Sequence, residues 1–178
     1  MNEELVRDIM VPLKEYPCIP ESYTLRQAIA EMGKSQISRN RQASLPRTAL
    51  VFDQGRTELL GMLRRRDIMR GLEPKFLLGG ALDYRRKLFD VEIDPNLAEL
   101  SHDKMIAGLH RRAERLARDF MRPIRATIGF EDHIMKAISE MVDQNTSLLP
   151  VLQQGQVVGV VRSVDVLNEI ARLLGIPT

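Results

Sequence analysis

The sequence predicts a mixed α/β protein of the α+β type, in which two copies of one strand-helix-strand-strand-helix unit pack together. The first observation is an internal repeat, because four short blocks recur in the same order in the two halves of the chain. The second is that each half contains one segment with helical spacing of its apolar residues and two short apolar runs around a turn. One unit alone is too small to bury both faces of its sheet, so we expect a shared core.

Four pairs of sequence blocks define the repeat. Matching blocks in one order are hard to produce by chance, so we interpret the chain as a tandem repeat. The first copy is longer, and most of its extra residues lie between Met32 and Val51, in a polar, basic stretch that we expect to be a loop. The matching pairs are Val6–Pro12 with Ala117–Pro123, Leu25–Met32 with Ile134–Met141, Val51–Gly55 with Val151–Gly155, and Gly61–Asp67 with Gly159–Asp165.

Each copy contains a predicted helix with one apolar face. The apolar residues within Leu25–Met32 and within Ile134–Met141 are spaced as i, i+3, i+4 and i+7, which places them on one side of a helix. Thr24 and Gln27 fit a capping box at the start of the first helix. Asp132 is the candidate cap of the second helix.

Two hairpins follow these helices. Short apolar runs flank the sequence DQG in the first copy and QQG in the second, where Gly155 can supply the positive φ that a tight turn requires. We therefore predict strand pairs that form β-hairpins. The pairs are Ala49–Phe52 with Leu59–Leu63, and Leu149–Leu152 with Val157–Val161.

The segment between the copies, Glu73–Leu116, matches neither of them. Asp94 and Pro95 form a helix start, since Asp caps a helix and Pro fits its first turn. Apolar residues spaced through the region predict one long amphipathic helix that reaches Phe120. Its opposite face is basic, and we interpret it as solvated or facing a partner. The residues are Lys104, His110, Arg111, Arg112, Arg115 and Arg118.

The domain boundaries follow from the repeat. The last helix is predicted over Val164–Leu174, because its apolar residues recur on one side. We expect a first repeat over 1–75, a helical inter-repeat insertion over 76–116, and a second repeat over 117–178.

The closing block of each copy has the residues of a nucleotide-contacting corner. Arg64 and Asp67, and likewise Arg162 and Asp165, stand where a strand leads into a helix. A helix N-terminus presents free N–H groups to phosphate, and a carboxylate can accept hydrogen bonds from ribose hydroxyls. Two alternatives stay open. The helix dipole favours an Asp in the first turn without any ligand, and the Arg side chains can be solvated or ion-paired.

Taken together, the repeated blocks, helices, hairpins and corners resemble the CBS domain family. The tandem arrangement resembles the CBS pair called a Bateman module, and the resemblance covers Val6–Leu72 and Ala117–Leu174. It implies two β-α-β-β-α units about a pseudo-twofold axis, with a cleft between their sheets. It also implies a homodimer that regulates an enzyme, channel or transporter and binds AMP, ADP, ATP or S-adenosylmethionine.

The resemblance also implies roles for particular residues. The family motif G-h-x-[ST]-x-x-[DN] assigns ribose contact to Asp67 and Asp165. Arg64 and Arg162 stand where the family has Ser or Thr, so each either donates to phosphate as a bidentate group or fills the pocket. Ser163 lies one position too late for phosphate and is expected to cap the helix. Alignment with the family places adenine against the backbone and apolar side chains around Ile128, Leu149, Pro150, Val151, Ile19, Ala49 and Leu50.

These observations favour a regulatory module that senses an adenosine-containing nucleotide and controls an unidentified partner protein, with no required cofactor. The alternative is an oligomerisation or docking scaffold with degenerate nucleotide sites, which the two Arg replacements favour. Nucleic-acid binding ranks third, because the basic helix face lacks interleaved aromatic residues for base stacking.

Composition argues against several other classes. A net charge of +2 is too balanced to indicate a nucleic-acid or membrane surface, and the single cysteine, Cys18, excludes an internal disulfide. His102, His110 and His133 lie in unrelated segments, and no metal-binding pattern is present, so we expect no catalytic or metal site. No apolar run reaches the roughly 18 residues of a membrane span. The N-terminus lacks a signal-peptide core, and we expect a cytoplasmic protein.

Overall fold

The computed structural model describes residues 4–35, 37–39, 42–44, 46–74 and 95–176. The elements before residue 75 are α1 (Val6–Ile9), β1 (Val11–Pro12), β2 (Cys18–Pro20), α2 (Leu25–Lys34), β3 (Ile37–Arg39), β4 (Gln42–Ser44), β5 (Thr48–Phe52), β6 (Leu59–Arg64) and α3 (Arg65–Leu72). Those from residue 95 onward are α4 (Pro95–Ala113), β7 (Ile128–Gly129), α5 (Ile134–Asp143), β8 (Leu148–Gln153), β9 (Gln156–Arg162) and α6 (Ser163–Leu173).

Both repeats have the predicted order of elements. The first repeat runs β2-α2-β5-β6-α3 and the second β7-α5-β8-β9-α6. In each, the first strand lies parallel to the second, and the second and third form an antiparallel hairpin. The mixed α+β fold and both hairpins are therefore confirmed.

The repeat helices bury the faces that their spacing predicts. Leu25, Ala28 and Met32 of α2 are buried, and α5 buries its equivalent residues. Ile29 stays 44% exposed, so the buried stripe is narrower than the apolar pattern. Each fully buried aliphatic side chain stabilises the fold by roughly 1.5–3 kcal/mol.

One of the two predicted helix caps is confirmed. The amide of Gln27 donates to Thr24 Oγ1 at 3.3 Å, and the Thr24 amide donates to Gln27 Oε1 at 2.9 Å. The prediction for Asp132 is wrong, since the cap of α5 is His133, whose Nδ1 accepts from the Met135 amide. Asp132 lies one residue earlier, where its carboxylate instead accepts from the Gly129 amide at 2.7 Å.

Each repeat begins with an entry segment that lies before its first strand and pairs with the other repeat; the entry segments are residues 6–17, before β2, and residues 117–127, before β7. β1 of the first repeat pairs with β9, where Val11 faces Val160. In the reciprocal contact, Arg122 bridges to Met62 of β6. Each entry segment therefore pairs with a strand of the other repeat before the chain reaches the first strand of its own sheet.

This crossing explains the first residue of each corner block. A Cβ on Gly61 would lie 2.6 Å from the carbonyl oxygen of Arg122, and one on Gly159 would lie 2.5 Å from that of Val11. No side chain fits so close to a backbone oxygen. Glycine is therefore needed at both positions for the repeats to pack together.

A shared core joins the repeats, as the sequence predicts. The cluster of the second repeat includes Val6 and Ile9, that of the first repeat includes Ala117, and a third cluster contains strand residues from both repeats. Its buried members are Val11, Tyr16, Leu50, Phe52, Leu148 and Val160.

Two predictions about the segments outside the repeats need correction. The extra stretch of the first repeat is not only a loop, because β3 and β4 form a two-stranded hairpin there. The long helix, α4, ends at Ala113 and does not reach Phe120.

Two arginines, one in the last turn of α4 and one just after the helix, have a structural use that the sequence did not indicate. Arg112 Nε donates to the Leu72 carbonyl at 2.6 Å, and Arg115 Nη1 contacts the Gly71 carbonyl at 3.5 Å. These guanidinium groups satisfy carbonyls at the C-terminus of α3, where the helix dipole favours positive charge.

Among the described residues, no helix combines the length and apolar composition needed to cross a bilayer.

Candidate ligand site between the repeats

The first corner contains a buried carboxylate held by an arginine. Arg64 is the N-cap of α3, and Asp67 is the third residue of that helix, so the two lie side by side. Arg64 Nε and Nη2 donate to the two carboxylate oxygens of Asp67 at 2.8 and 3.0 Å. The Arg64 amide adds a third bond at 3.2 Å, and Asp67 is fully buried. This bidentate geometry is the strongest form of an Arg–carboxylate contact.

The second corner repeats this arrangement. Arg162 Nε and Nη2 each lie 2.6 Å from an oxygen of Asp165, which is 5% exposed. Arg162 is also the N-cap of α6, so the expectation that Ser163 caps this helix is wrong. Ser163 is the first residue inside the helix, one position too late for the cap.

Both Arg side chains therefore form hydrogen bonds with the Asp carboxylates that the family motif assigns to ribose contact. The alternative that Arg64 and Arg162 are ion-paired matches the geometry, although the two differ in exposure. The Arg64 side chain is 42% exposed and the Arg162 side chain only 13%. Of the two arginines, Arg64 is thus the one with a large part of its side chain open to solvent.

Asp67 has two further guanidinium neighbours. Arg122 Nε lies 3.0 Å and Arg70 Nη1 3.4 Å from its Oδ1. Burial raises the pKa of the Asp67 carboxyl group, but hydrogen bonds from Arg64 and Arg122 outweigh burial and lower that pKa to about 2. Asp67 is thus charged at neutral pH. One negative charge faces three positive ones, so the corner keeps an excess of positive charge.

Two adjoining cavities, of about 140 and 300 Å³, open beside this corner. Both repeats line them, because the entry segment and the α5–β8 turn of the second repeat face β6 of the first. The residues common to both cavities are Met62, Arg64, Asn145, Thr146 and Leu148. The smaller cavity adds Arg122, Pro123, Arg125, Ala126 and Gln144, and the larger adds Thr48 and Ser147.

We call this combined site the basic cleft, defined by the lining residues just given. Within the described part of the chain, Arg125 has no hydrogen-bond partner, and Arg122 uses only its Nε as a side-chain donor. Met62, Ala126 and Leu148 offer an apolar wall, and Asn145 and Thr146 offer polar groups. The cleft can therefore bind an anion that carries an apolar or planar part.

The second corner has different surroundings. Val11 stands at the repeat position of Arg122. The ring of Tyr16 packs in the shared core beside Val11 and Val160, and it is 5% exposed. Its hydroxyl donates to the Thr48 carbonyl oxygen at 2.8 Å. The two corners are therefore alike in the Arg–Asp pair and unlike around it.

The residues that alignment placed around adenine lie deeper than the cavities. All seven are buried, and none lines the basic cleft; their ligand contact stays a prediction. They are Ile19, Ala49, Leu50, Ile128, Leu149, Pro150 and Val151. Their neighbours Thr48, Ala126 and Leu148 line the cleft instead.

Sequence reasoning missed Arg122 and Arg125 as site residues. A signal was present, because Arg122 differs from Val11 within otherwise similar blocks. That difference gains meaning only when the entry segments are known to cross to the other repeat.

Comparison with protein families identifies the class of protein. The CBS domain model matches residues 6–74 and 117–172. The chain therefore belongs to the CBS domain family and carries two copies of the domain. A comparison with curated proteins gives no match.

Solved structures share the fold. The CBS domain of a CBS domain-containing membrane protein from Sphaerobacter thermophilus is 23% identical, with a TM-score of 0.65 over 93% of this chain and 87% of that one. CBSX2 of Arabidopsis thaliana in complex with AMP is 14% identical, with a TM-score of 0.61 over 96% and 98%. The CBS domain of a bacterial CNNM/CorC family Mg²⁺ transporter in complex with ATP is 15% identical, with a TM-score of 0.58 over 98% and 89%.

Proposed function

We propose that the protein is a regulatory module that binds an adenosine-containing nucleotide in the basic cleft and thereby controls a partner protein. The observation that carries this proposal is the cavity between the repeats, which Arg64, Arg122 and Arg125 line; the first two of these pair with the buried carboxylate of Asp67. An excess of guanidinium groups beside an apolar wall fits a phosphate joined to a base.

The positive charge of the cleft suits the phosphate groups of a nucleotide. Arg125 is exposed and unpaired among the described residues, so a ligand phosphate can engage it without breaking a protein contact. Arg122 retains its terminal nitrogen groups for the same ligand. Asp67 holds Arg64 and Arg122 in place, which preorganises the donors. In this proposal Asp67 acts as an anchor, and ribose contact would require Arg64 to release it.

The adenosine part is supported by the related structures. CBSX2 holds AMP, and the CNNM/CorC transporter domain holds ATP, on the same fold. In the present chain, the planar base would lie against Met62, Ala126 and Leu148. The number of phosphate groups that can accept hydrogen bonds from these arginines then sets the expected order of affinity. We expect ATP and ADP to bind more tightly than AMP, and S-adenosylmethionine to bind weakly because it has no phosphate and a cationic sulfur.

Regulation follows from the position of the cleft. Because both repeats line it, a ligand can favour one relative arrangement of the repeats over another. Such coupling requires that the two arrangements have different affinities for the ligand. A partner that contacts both repeats would sense that change.

A thermal-shift panel tests the proposal. ATP, ADP, AMP, adenosine and S-adenosylmethionine are added to the wild type, to Arg125→Ala and to the control Lys14→Ala. Lys14 is the matched control, because it is the exposed residue at the repeat position of Arg125.

We expect ATP at about 100 times its Kd to stabilise the wild type and Lys14→Ala by about 2.7 kcal/mol. Arg125→Ala should lose about tenfold in affinity, as expected for one charge-assisted hydrogen bond. No shift with any nucleotide at millimolar concentration would overturn the proposal.

A second candidate function is a docking or oligomerisation scaffold. It is favoured by exposed apolar side chains on the helices of the second repeat, among them Met135 at 57%, Val142 at 72% and Leu167 at 66%. Such a face is suited to self-association as a homodimer.

Light scattering after size exclusion tests this candidate. A dimeric mass that falls to the monomer in Leu167→Asp, with no thermal shift by nucleotides, would favour the scaffold. A monomeric wild type would count against it.

A further inference from the structure

The repeat equivalence locates the position that corresponds to the basic cleft at the second corner. Val11 pairs with Val160 as Arg122 bridges to Met62. Likewise, Thr48 pairs with Arg64 as Leu148 pairs with Arg162. The counterparts of Met62, Arg64, Arg122 and Leu148 are therefore Val160, Arg162, Val11 and Thr48.

Tyr16 is placed among these four counterparts. Its ring belongs to the same buried cluster as Val11 and Val160, and its hydroxyl donates to the Thr48 carbonyl oxygen at 2.8 Å. Burial raises the pKa of the Tyr16 hydroxyl, and the nearby charge of Arg162 opposes this only in part, so the phenol stays neutral. The side chain of Tyr16 is therefore associated with three of the four counterparts, Val11 and Val160 through the cluster and Thr48 through the hydrogen bond.

We infer that Tyr16 is a built-in occupant of the second corner, so that the chain binds one nucleotide, and that removing its side chain opens a pocket for a neutral phenol. The stoichiometry rests on the proposed function of the basic cleft, whereas the phenol pocket does not. A planar ring with one donor would occupy the vacated space and donate to Thr48.

The second corner also has fewer guanidinium groups at its Arg–Asp pair than the first, although Lys14 stands at the repeat position of Arg125. Val11 supplies no guanidinium where the basic cleft has Arg122, and Arg162 is already paired with Asp165. Opening the corner should thus favour an uncharged ring over a nucleotide phosphate.

Space for a small molecule exists beside the ring. Tyr16 also lines a cavity of about 430 Å³, together with the apolar Leu13 and Phe52, the thiol of Cys18 and the charged Lys14, Glu31 and Arg56. Truncating the ring would enlarge this cavity toward Val11 and Val160. The space that truncation adds would face the apolar Val11 and Val160, and an apolar space of this kind binds small aromatic molecules of matching size.

The test uses p-cresol, which is the side chain of tyrosine as a free molecule. Melting temperatures of the full chain are measured with and without p-cresol for the wild type, Tyr16→Ala and Tyr23→Ala. Tyr23 is the matched control, because it is a partly buried tyrosine of the same repeat that packs on a different cluster.

At ten times its Kd, p-cresol should raise the melting temperature of Tyr16→Ala by roughly 3 °C. The wild type and Tyr23→Ala should not respond. Equal responses in all three proteins, or none in a folded Tyr16→Ala, would overturn the inference.

Calorimetric titration of ATP into the wild type and Tyr16→Phe provides a second measurement that does not depend on folding of the alanine variant. We expect one ATP per chain in both, because Phe retains the ring. Two per chain in the wild type would overturn the inference. No ATP binding at all would defeat the proposed function, while the p-cresol experiment would still decide the role of Tyr16.

Discussion

The two corners of this chain share a motif but differ in what surrounds it. In both, an Arg at the N-cap of a helix forms a bidentate pair with a buried Asp. At the first corner, Arg122 and Arg125 add positive charge beside a cavity. At the second, Val11 and Tyr16 fill the corresponding position with apolar and aromatic groups. We therefore propose that the entry segment of the other repeat sets the capacity of each corner to bind a ligand.

The largest expected effect comes from breaking the two Arg–Asp pairs separately. Asp165→Ala should cost about 3 kcal/mol in the free energy of unfolding, because it leaves a mostly buried Arg162 without its partner. Asp67→Ala should cost only about 1–2 kcal/mol, since Arg64, Arg70 and Arg122 are 39–49% exposed and can be solvated. Urea denaturation measures both losses.

Asp143→Ala serves as the surface control for this pair of variants, and we expect it to change stability by less than about 0.5 kcal/mol. Equal losses in Asp67→Ala and Asp165→Ala would show that the corners do not differ in burial as described.

The next effect tests what the two corners have in common. Gly61→Ala and Gly159→Ala should each destabilise the protein by about 2 kcal/mol, because the new methyl group would collide with a backbone oxygen of the crossing segment. Thermal and chemical unfolding of both variants provide the measurement.

Gly33→Ala is the matched glycine control. Gly33 lies in α2, and a Cβ added there would have no neighbouring atom within 4 Å. Alanine at this position should therefore be neutral or stabilising by about 0.5–1 kcal/mol. If Gly61→Ala were equally neutral, the close crossing of the repeats would be wrong.

Much of the fold could be predicted because it leaves a periodic trace in the sequence. Helical spacing indicated the buried faces of α2 and α5, and short apolar runs around a turn indicated the hairpins. The pairing of each entry segment with the other repeat could not be predicted in this way. Val11 and Arg122 pair through segments that are too short to have a recognisable alternation of apolar and polar residues. The sequence also failed to predict His133 as the cap of α5. The carboxylate of Asp132 binds the Gly129 amide in the turn before the helix, so the cap is the next residue.

The candidate site divides in the same way. The corner motif indicated Arg64 and Asp67 from local spacing alone. Arg125 and Thr146 belong to segments distant in sequence, and only tertiary packing brings them to the same cavity. The basic groups of Arg112 and Arg115 were interpreted as solvated or facing a partner, because a capping role at α3 depends on how α4 docks.

The most direct test makes the first corner resemble the second. Arg122→Val introduces at the first corner the residue that Val11 provides at the other, and calorimetric titration then measures ATP binding to the variant and the wild type. Arg118→Ala is the control, because Arg118 is an exposed residue of the same segment that lies outside the cleft.

We expect saturable ATP binding to the wild type and to Arg118→Ala, and an affinity at least about tenfold lower in Arg122→Val, as the loss of one charge-assisted contact predicts. Unchanged affinity in a folded Arg122→Val would contradict the claim that the entry segment of the second repeat provides the ligand site.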